Sequence, residues 1–244
     1  YMHNMKATGA WERHHQAGKT NAVTGRFFEP RPSEEFYDNF KDFHNIDNQI
    51  DDPLHQSKIK ELKKELRRQQ LQYFDSGLMP EEMRNRITKE KKMTVYAFVR
   101  DPKLYPLAQY LDFADLALVR NKGNLKTLTK GLTDADPVIR YWSVVGLLLL
   151  EKHAQPALSG LKKALLDSDE IPSLAAWAIF KAGEEDFAKQ WMLREITENP
   201  GNKMLANVLD WMDKDSFPIL SKIPQDKLLQ RGLLKDVVTR YRAR

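Results

Sequence analysis

Apolar residues recur every three or four positions through much of the chain, with polar residues between them. The clearest case covers residues 53–74, where charged residues separate His55, Ile59, Leu62, Leu66 and Tyr73. A repeat of about 3.5 residues places these side chains along one side of a helix. The pattern therefore predicts an amphipathic helix. Its start is marked by Asp52-Pro53, a capping carboxylate followed by a proline at the first helical position.

A pair of helices recurs in the second half of the chain. An amphipathic segment at 125–132 is followed by an Asp-rich turn and an apolar helix at 138–147. The same order returns at 157–166 and 171–180, and in a degraded form at 186–197 and 203–212. Aligning Val138 with Ile171 gives a period of 33 residues. Because neither helix of a pair can bury its apolar face alone, stacked pairs would share one core.

The first fifty residues follow a different pattern. Short helices are predicted over 5–17 and 20–28, and residues 34–38 form an extended run after two prolines. The residue before a proline is biased away from helix, which favours a strand here. We therefore expect a mainly α fold. It divides into a small mixed segment with one strand (1–52), connecting helices (53–106) and an α-solenoid (107–244).

Composition narrows the chemistry. The chain has 244 residues, 41% of them hydrophobic, no cysteine and a net charge of +5. No disulfide, thiolate metal site or cysteine nucleophile is possible. No apolar run reaches the roughly eighteen residues that span a bilayer, so no membrane partner is expected. The first residue is a tyrosine and no leader is visible, so we expect a fragment of a longer protein.

Basic residues cluster on two of the predicted helices. Such clusters suit a polyanion, either a nucleic acid or a sulfated glycan. The alternative is a solvated helix face, because Glu61 and Glu65 can pair with basic residues one turn away. The clusters comprise Lys58, Lys60, Lys63, Lys64, Arg67 and Arg68, and then Arg84, Arg86, Lys89, Lys91 and Lys92.

No catalytic or metal-binding motif is present. The chain lacks G-x-S-x-G, P-loop and G-x-G-x-x-G patterns. Glu34 and Glu35 are neighbours that would face opposite sides of a strand, so they cannot form an acid–base pair. The six histidines have no ligand spacing. Four tryptophans, Trp142, Trp177, Trp191 and Trp211, fall on the apolar faces of the repeats and are predicted to pack in the core.

Residues 134–144 read D-x-D-P-x-[VI]-R-x-x-[AS]-[VA] and resemble a HEAT repeat. The resemblance implies that Arg140 bonds along the stack. The next repeat departs from the pattern, with Ser173 in place of the arginine and Pro172 at the helix start. A HEAT-like stack implies a fold and no particular function.

A second resemblance covers about residues 1–90. Residues 31–38 read R-P-S-E-E-F-Y-D, and a loop and the Asp-Pro-led helix follow. This order is similar to the C-terminal region of the type I sulfatases, in which the run reads roughly R-P-x-E-E-L-Y-D. Here Phe36 replaces the usual leucine, and residues 41–48 replace the usual loop. The arm at 1–28 and the D-x-G-L-x-P-E pattern at 75–81 resemble a bacterial subgroup of that family.

The resemblance implies a non-catalytic C-terminal part of a sulfatase that acts on a sulfated glycan or a related sulfate ester. The formylglycine of such enzymes, made from a C/S-x-P-S-R motif, and their calcium ion would belong to an N-terminal sulfatase domain, the partner in cis. This chain has no C/S-x-P-S-R motif, so it should be inactive alone and carries no catalytic residue, metal ligand or cofactor. The residues suggested for glycan contact are His14, His15, Lys19 and Arg31.

Two alternatives stay open. The chain could be a HEAT-repeat scaffold that binds partners along a concave face. It could also be a helical-repeat protein that binds nucleic acid, although no aromatic-plus-carboxylate pair suggests a nucleic-acid site. The surface residues proposed for glycan contact could instead surround an interdomain contact. Family resemblance would place the protein in the periplasm or outside the cell, whereas the residues themselves fix no compartment.

Overall fold

The computed structural model describes residues 5–168, 170–228 and 232–242. It divides into two compact units, one ending at Tyr73 and the other beginning at Phe74. The described residues are mainly helical, which confirms the predicted all-α character. The boundary between the units lies within the segment predicted as connecting helices, and the predicted domain limits at 52 and 106 stay predictions. No helix in the described ranges is long and apolar enough to cross a bilayer.

The α-helices described in the first unit are α1 (Lys6–Gln16), α2 (Ala22–Gly25) and α3 (Gln56–Tyr73). A capping box fixes the start of α2, because the Asn21 side chain accepts hydrogen bonds from the Val23 and Thr24 amides and Thr24 Oγ1 accepts one from the Asn21 amide. A 3-10 turn at Pro53–His55 leads into α3.

The predicted start signal for α3 is confirmed. Asp52 Oδ1 accepts a hydrogen bond from the Leu54 amide at 2.8 Å, and Pro53 opens the turn. A proline costs nothing at this position, because the first amides of a helix have no partner within it.

The expected strand at residues 34–38 does not form. Within the described parts of the chain no strand is present, and these five residues lie in neither helix nor sheet. A strand requires a hydrogen-bonded neighbour along its length. Here the backbone of Phe36 instead bonds within its own loop, to the Asn48 side chain at 2.9 Å and to the Gln49 amide at 2.8 Å.

The second unit is a succession of helices whose order follows the predicted repeat. The helices are α4 (Glu81–Glu90), α5 (Val95–Phe98), α6 (Leu107–Leu118), α7 (Leu125–Gly131), α8 (Pro137–Leu150), α9 (Leu158–Ala164), α10 (Ile171–Lys181), α11 (Glu185–Glu198), α12 (Lys203–Trp211), α13 (Phe217–Leu220) and α14 (Leu233–Arg242). Two of them are central. Helix α8 packs against α6, α7 and α10, while α10 also packs against α9, α11 and α12.

The core of this unit is continuous and close-packed. Leu128, Val138 and Ile171 are almost fully buried, as their places in the repeat pattern predict. Gly146 allows α7 and α8 to approach closely, because a Cβ atom built there would lie 2.5 Å from Leu128 Cδ2 and 3.1 Å from Ala117 Cβ. Such contacts between neighbouring helices are what give a repeat its stability.

Polar contacts tie the turns of this unit together. Arg140 donates to both carboxylate oxygens of Asp167, from Nε at 2.6 Å and from Nη2 at 3.0 Å. Its Nη1 also donates to the carbonyl oxygens of Asp134 and Ala135 at 2.9 and 3.1 Å. Asp134 and Asp167 are 33 positions apart, so one arginine joins two successive Asp-containing turns. The bonding predicted for Arg140 is therefore present.

Candidate functional site

A cleft in the first unit contains one of the predicted contact residues, Arg31. Its cavity volume is about 290 Å³, and aliphatic and aromatic side chains form part of its walls. Concave sites with a few convergent polar groups are the usual form of small-ligand sites. The polar residues that line it are Arg26, Arg31, Glu35, Tyr37, His44, Asn45 and Asn48.

The loop that forms one wall is held closed by its own hydrogen bonds. Asn48 Oδ1 accepts from the backbone amides of Phe36 and Ile50, at 2.9 and 3.2 Å. From outside the loop, the Arg26 guanidinium donates to the carbonyl oxygens of Asn45, at 3.2 Å, and Ile46. By donating to two backbone carbonyls, Arg26 holds the loop in place. The Arg26 side chain also lines the cleft.

Arg31 lies in the cleft but is already paired. Its Nε and Nη2 donate to the two carboxylate oxygens of Glu35, at 3.2 and 2.5 Å. The hydrogen bond from Arg31 lowers the pKa of Glu35 below its ordinary value, and the same bond raises the pKa of Arg31. Because the bidentate pair neutralises the arginine, an anionic ligand would have to displace Glu35.

The other predicted contact residues lie at the C-terminal end of α1. His15 is held on three sides: Nδ1 is 2.9 Å from Thr20 Oγ1, the ring stacks on Phe28 at 4.7 Å, and Nε2 is 3.7 Å from Glu29 Oε1. His14 and Lys19 are exposed, and the Lys19 amide donates to the His14 carbonyl at 3.1 Å.

The four residues therefore form two groups. His14, His15 and Lys19 cluster around the end of one helix, while Arg31 belongs to the cleft, and no described contact joins Arg31 to the others. Their predicted contact with a substrate stays a prediction. Sequence reasoning missed Arg26, Tyr37 and His44 as cleft residues, because only the folding of the loop brings them beside Arg31.

The basic helix α3 is paired with acidic groups at several positions. Lys58 bonds Glu61 at 2.7 Å, and Lys63 bonds Glu34 at 2.6 Å. Arg68 bonds Glu65 at 2.6 Å, and this hydrogen bond, together with one from Gln69, lowers the pKa of Glu65 to about 2. These contacts favour a solvated helix face, whose basic side chains are partly neutralised by neighbouring glutamates, over a continuous basic surface that binds a polyanion.

Metal-ligating side chains do not converge in the described residues, since no group of three or more His, Asp or Glu side chains is placed to hold an ion. The expected absence of a metal site and of catalytic residues stays an expectation. The two histidines at the end of α1 have different surroundings, as the helical spacing of neighbouring residues predicts.

Comparison of the chain with protein-family models, with curated proteins and with solved structures finds no match.

Proposed function

We propose that this chain is a non-catalytic C-terminal part of a formylglycine sulfatase that acts on a sulfated glycan or a related sulfate ester. Residues 1–52 complete the small subdomain of the catalytic domain, and the helices that follow support it. The run R-P-S-E-E-F-Y-D at 31–38 and the Asp52-Pro53 helix start are the residues that resemble the family. The formylglycine and the calcium ion belong to the catalytic domain, so this chain alone has no sulfatase activity.

The observation that carries the proposal is the scarcity of buried apolar side chains in the first unit. Among its described residues Ile59, 6% exposed, is the one large hydrophobic side chain that is buried. Its exposed apolar side chains include Phe40, Phe43, Ile46, Leu54, Leu62, Leu66 and Tyr73. A unit that buries so little apolar surface cannot offset the conformational entropy of ordering its backbone.

The exposed groups are also placed as the proposal requires. Phe40 is 103% exposed and Phe43 is 83% exposed, and both lie within five positions after residue 38. These five residues lack a strand partner in the described chain. In the proposed whole protein, a strand of the catalytic domain pairs with residues 34–38, and its surface covers the two phenylalanines.

The contact residues have a defined place in this proposal. His14, His15, Lys19 and Arg31 lie near the substrate entrance, where basic side chains suit a sulfate group. Arg31 becomes available when Glu35 moves away from it. In the whole enzyme, Glu35→Gln should therefore lower KM for an anionic substrate, whereas Arg31→Gln should raise it.

The helices of the second unit form, in the same proposal, a HEAT-like solenoid. The packing of α8 on α10 and of α10 on α12 supports this architecture, because each repeat of a solenoid contacts mainly its neighbours. The link from Arg140 to Asp167 supports it further, since it joins equivalent turns of successive repeats. A HEAT-repeat scaffold for partner proteins is the alternative function that this arrangement also suits.

Hydrogen exchange tests the proposed completion of the first unit. Apart from Phe36, whose amide bonds the Asn48 side chain, the amides of residues 34–38 should exchange quickly in this chain, because they have no ladder partner. They should become protected in the polypeptide encoded together with the sequence upstream, which should contain a C/S-x-P-S-R motif. Absence of that motif, or equal exchange in both polypeptides, contradicts the proposal.

A further inference from the structure

Two tryptophans meet on the surface of the second unit. The ring centroids of Trp177, on α10, and Trp211, the last residue of α12, are 6.2 Å apart with their planes inclined at 31°. Trp211 is 53% exposed, so the expectation that it packs in the core is wrong. An indole that is exposed to this extent leaves a broad, flat apolar surface open to a ligand.

A pair of charged side chains joins the same two parts of the unit. Lys181 lies one helical turn after Trp177 on α10, and its Nζ is 3.9 Å from Oδ2 of Asp215, in the 3-10 turn that follows α12. The two side chains are 33% and 39% exposed. A pair this long and this exposed contributes little to stability, so its ammonium and carboxylate groups are available for hydrogen bonds to a ligand.

The hydrogen bonding of Trp177, the neighbour of the exposed indole, is incomplete. The Trp177 Nε1 atom is buried, and it has no hydrogen-bond partner among the described residues. Buried N–H donors in folded proteins almost always have a partner. The accessible part of the cluster is therefore an exposed aromatic face beside a loose ion pair, whereas the unpaired Trp177 Nε1 is buried away from solvent.

We propose that Trp177, Lys181, Trp211 and Asp215 form a binding site for a pyranose ring of a saccharide chain. The C–H face of the ring packs on the Trp211 indole. A ring hydroxyl accepts a hydrogen bond from Lys181, and another donates one to Asp215. Hydroxyl groups can both donate and accept, so they match an ammonium beside a carboxylate.

The Lys181 ammonium and the Asp215 carboxylate favour a saccharide over the other ligands that pack on exposed tryptophans. Proline-rich peptides also pack on aromatic side chains, but proline rings offer no hydroxyl to Lys181 and Asp215. The one positive and one negative charge cancel, so the site requires no sulfate on the sugar. It shares no residue with the Arg31 cleft, and its test is independent of the sulfatase proposal.

Titration with defined saccharides tests the site. The chain is mixed with neutral hexasaccharides of β-linked glucose, galactose, mannose or xylose, with a sulfated galactan hexasaccharide and with a decaproline peptide. Binding is followed by tryptophan fluorescence and calorimetry. We expect at least one neutral hexasaccharide to bind, and its affinity to change little with salt, because no net charge is involved.

Variants assign the binding to these residues. Trp211→Ala should weaken binding by about tenfold, the amount expected for loss of one aromatic contact. Trp211→Phe should weaken it less, and circular dichroism should show that both variants fold. Tyr96→Ala is the matched control, because Tyr96 is another exposed aromatic residue of this unit, 68% exposed, and should leave binding unchanged.

Four results overturn the proposal. They are no binding of any neutral saccharide, saccharide binding that survives Trp211→Ala in a folded variant, binding only of the sulfated galactan, and Trp211-dependent binding of decaproline alone.

Discussion

Replacing Arg140 with methionine should be among the most damaging single changes at a polar residue of the second unit. The guanidinium makes four hydrogen bonds, two to the Asp167 carboxylate and two to backbone carbonyls. The side chains of Arg140 and Asp167 are only 20% and 15% exposed. Methionine retains much of the aliphatic stem, so the change removes the polar contacts while the packing stays nearly intact.

The expected loss of stability follows from how far the Arg140–Asp167 ion pair is buried. Breaking a buried ion pair costs about 3–5 kcal/mol, whereas an exposed pair contributes at most about 1 kcal/mol. For a pair that is mostly buried, we expect the free energy of unfolding to fall by about 3 kcal/mol. In a domain of 150–250 residues this corresponds to a decrease in Tm of roughly 9 °C.

Urea unfolding, followed by circular dichroism at 222 nm, measures this loss. A double-mutant cycle with Asp167→Asn should give a coupling energy of about 2 kcal/mol, as expected for groups in direct contact. Arg194→Met is the matched control, because Arg194 is an exposed arginine on α11 and its replacement should change stability by less than about 0.5 kcal/mol.

The effect should also depend on pH. Burial alone would raise the pKa of Asp167, but hydrogen bonds from Arg140 and the Ser168 amide lower it below its ordinary value. The stability that comes from this carboxylate is therefore present above its unfolded pKa and is lost as the pH falls through the lowered folded pKa. The difference in the free energy of unfolding between wild type and Arg140→Met should become smaller below about pH 4. A loss under about 0.5 kcal/mol at pH 7 would refute the idea that Arg140 holds the two turns together.

Two further changes test the packing of the same unit. Gly146→Ala should lower the free energy of unfolding by about 1–3 kcal/mol, because its Cβ would lie 2.5 Å from a δ-carbon of the buried Leu128. Gly201→Ala is the control, because no atom lies within 4 Å of the Cβ that it adds. Equal losses of stability in the two variants would contradict the close packing inferred at Gly146. Tyr110→Phe should cost about 1–2 kcal/mol at pH 7, because the hydroxyl donates to Asp136 Oδ2 at 2.6 Å. Burial, followed by this carboxylate, raises the pKa of Tyr110 above its ordinary value, so the stability it contributes is present below about pH 10 and is lost as the pH rises further. The phenylalanine variant should lack this alkaline loss, and urea unfolding at pH 9 and 11 measures it.

The helices could be predicted because their signals are local. The apolar spacing at 53–74 and the Asp52-Pro53 start correspond to α3 and its preceding turn. The alignment of Val138 with Ile171 matches two helix positions that are both fully buried. Periodicity and capping depend on residues close in sequence, so both can be recognised without knowledge of the rest of the fold.

The parts that the sequence could not predict depend on distant residues. The strand at 34–38 needs a partner that the described chain does not supply, and sequence alone does not show whether a partner is present. Trp211 has the spacing of a core residue, but it ends its helix and remains half exposed. Arg26 enters the cleft only because a loop about twenty residues later folds back to its guanidinium.

Sulfate release by the whole polypeptide is the decisive test of the sulfatase proposal. The measurement compares hydrolysis of an aryl sulfate by this chain, by the polypeptide encoded with the upstream sequence, and by that polypeptide with the cysteine or serine of the expected C/S-x-P-S-R motif replaced by alanine. We expect turnover by the intact longer polypeptide and none by the other two. Turnover by this chain alone, or none by a folded longer polypeptide that carries formylglycine, would contradict it.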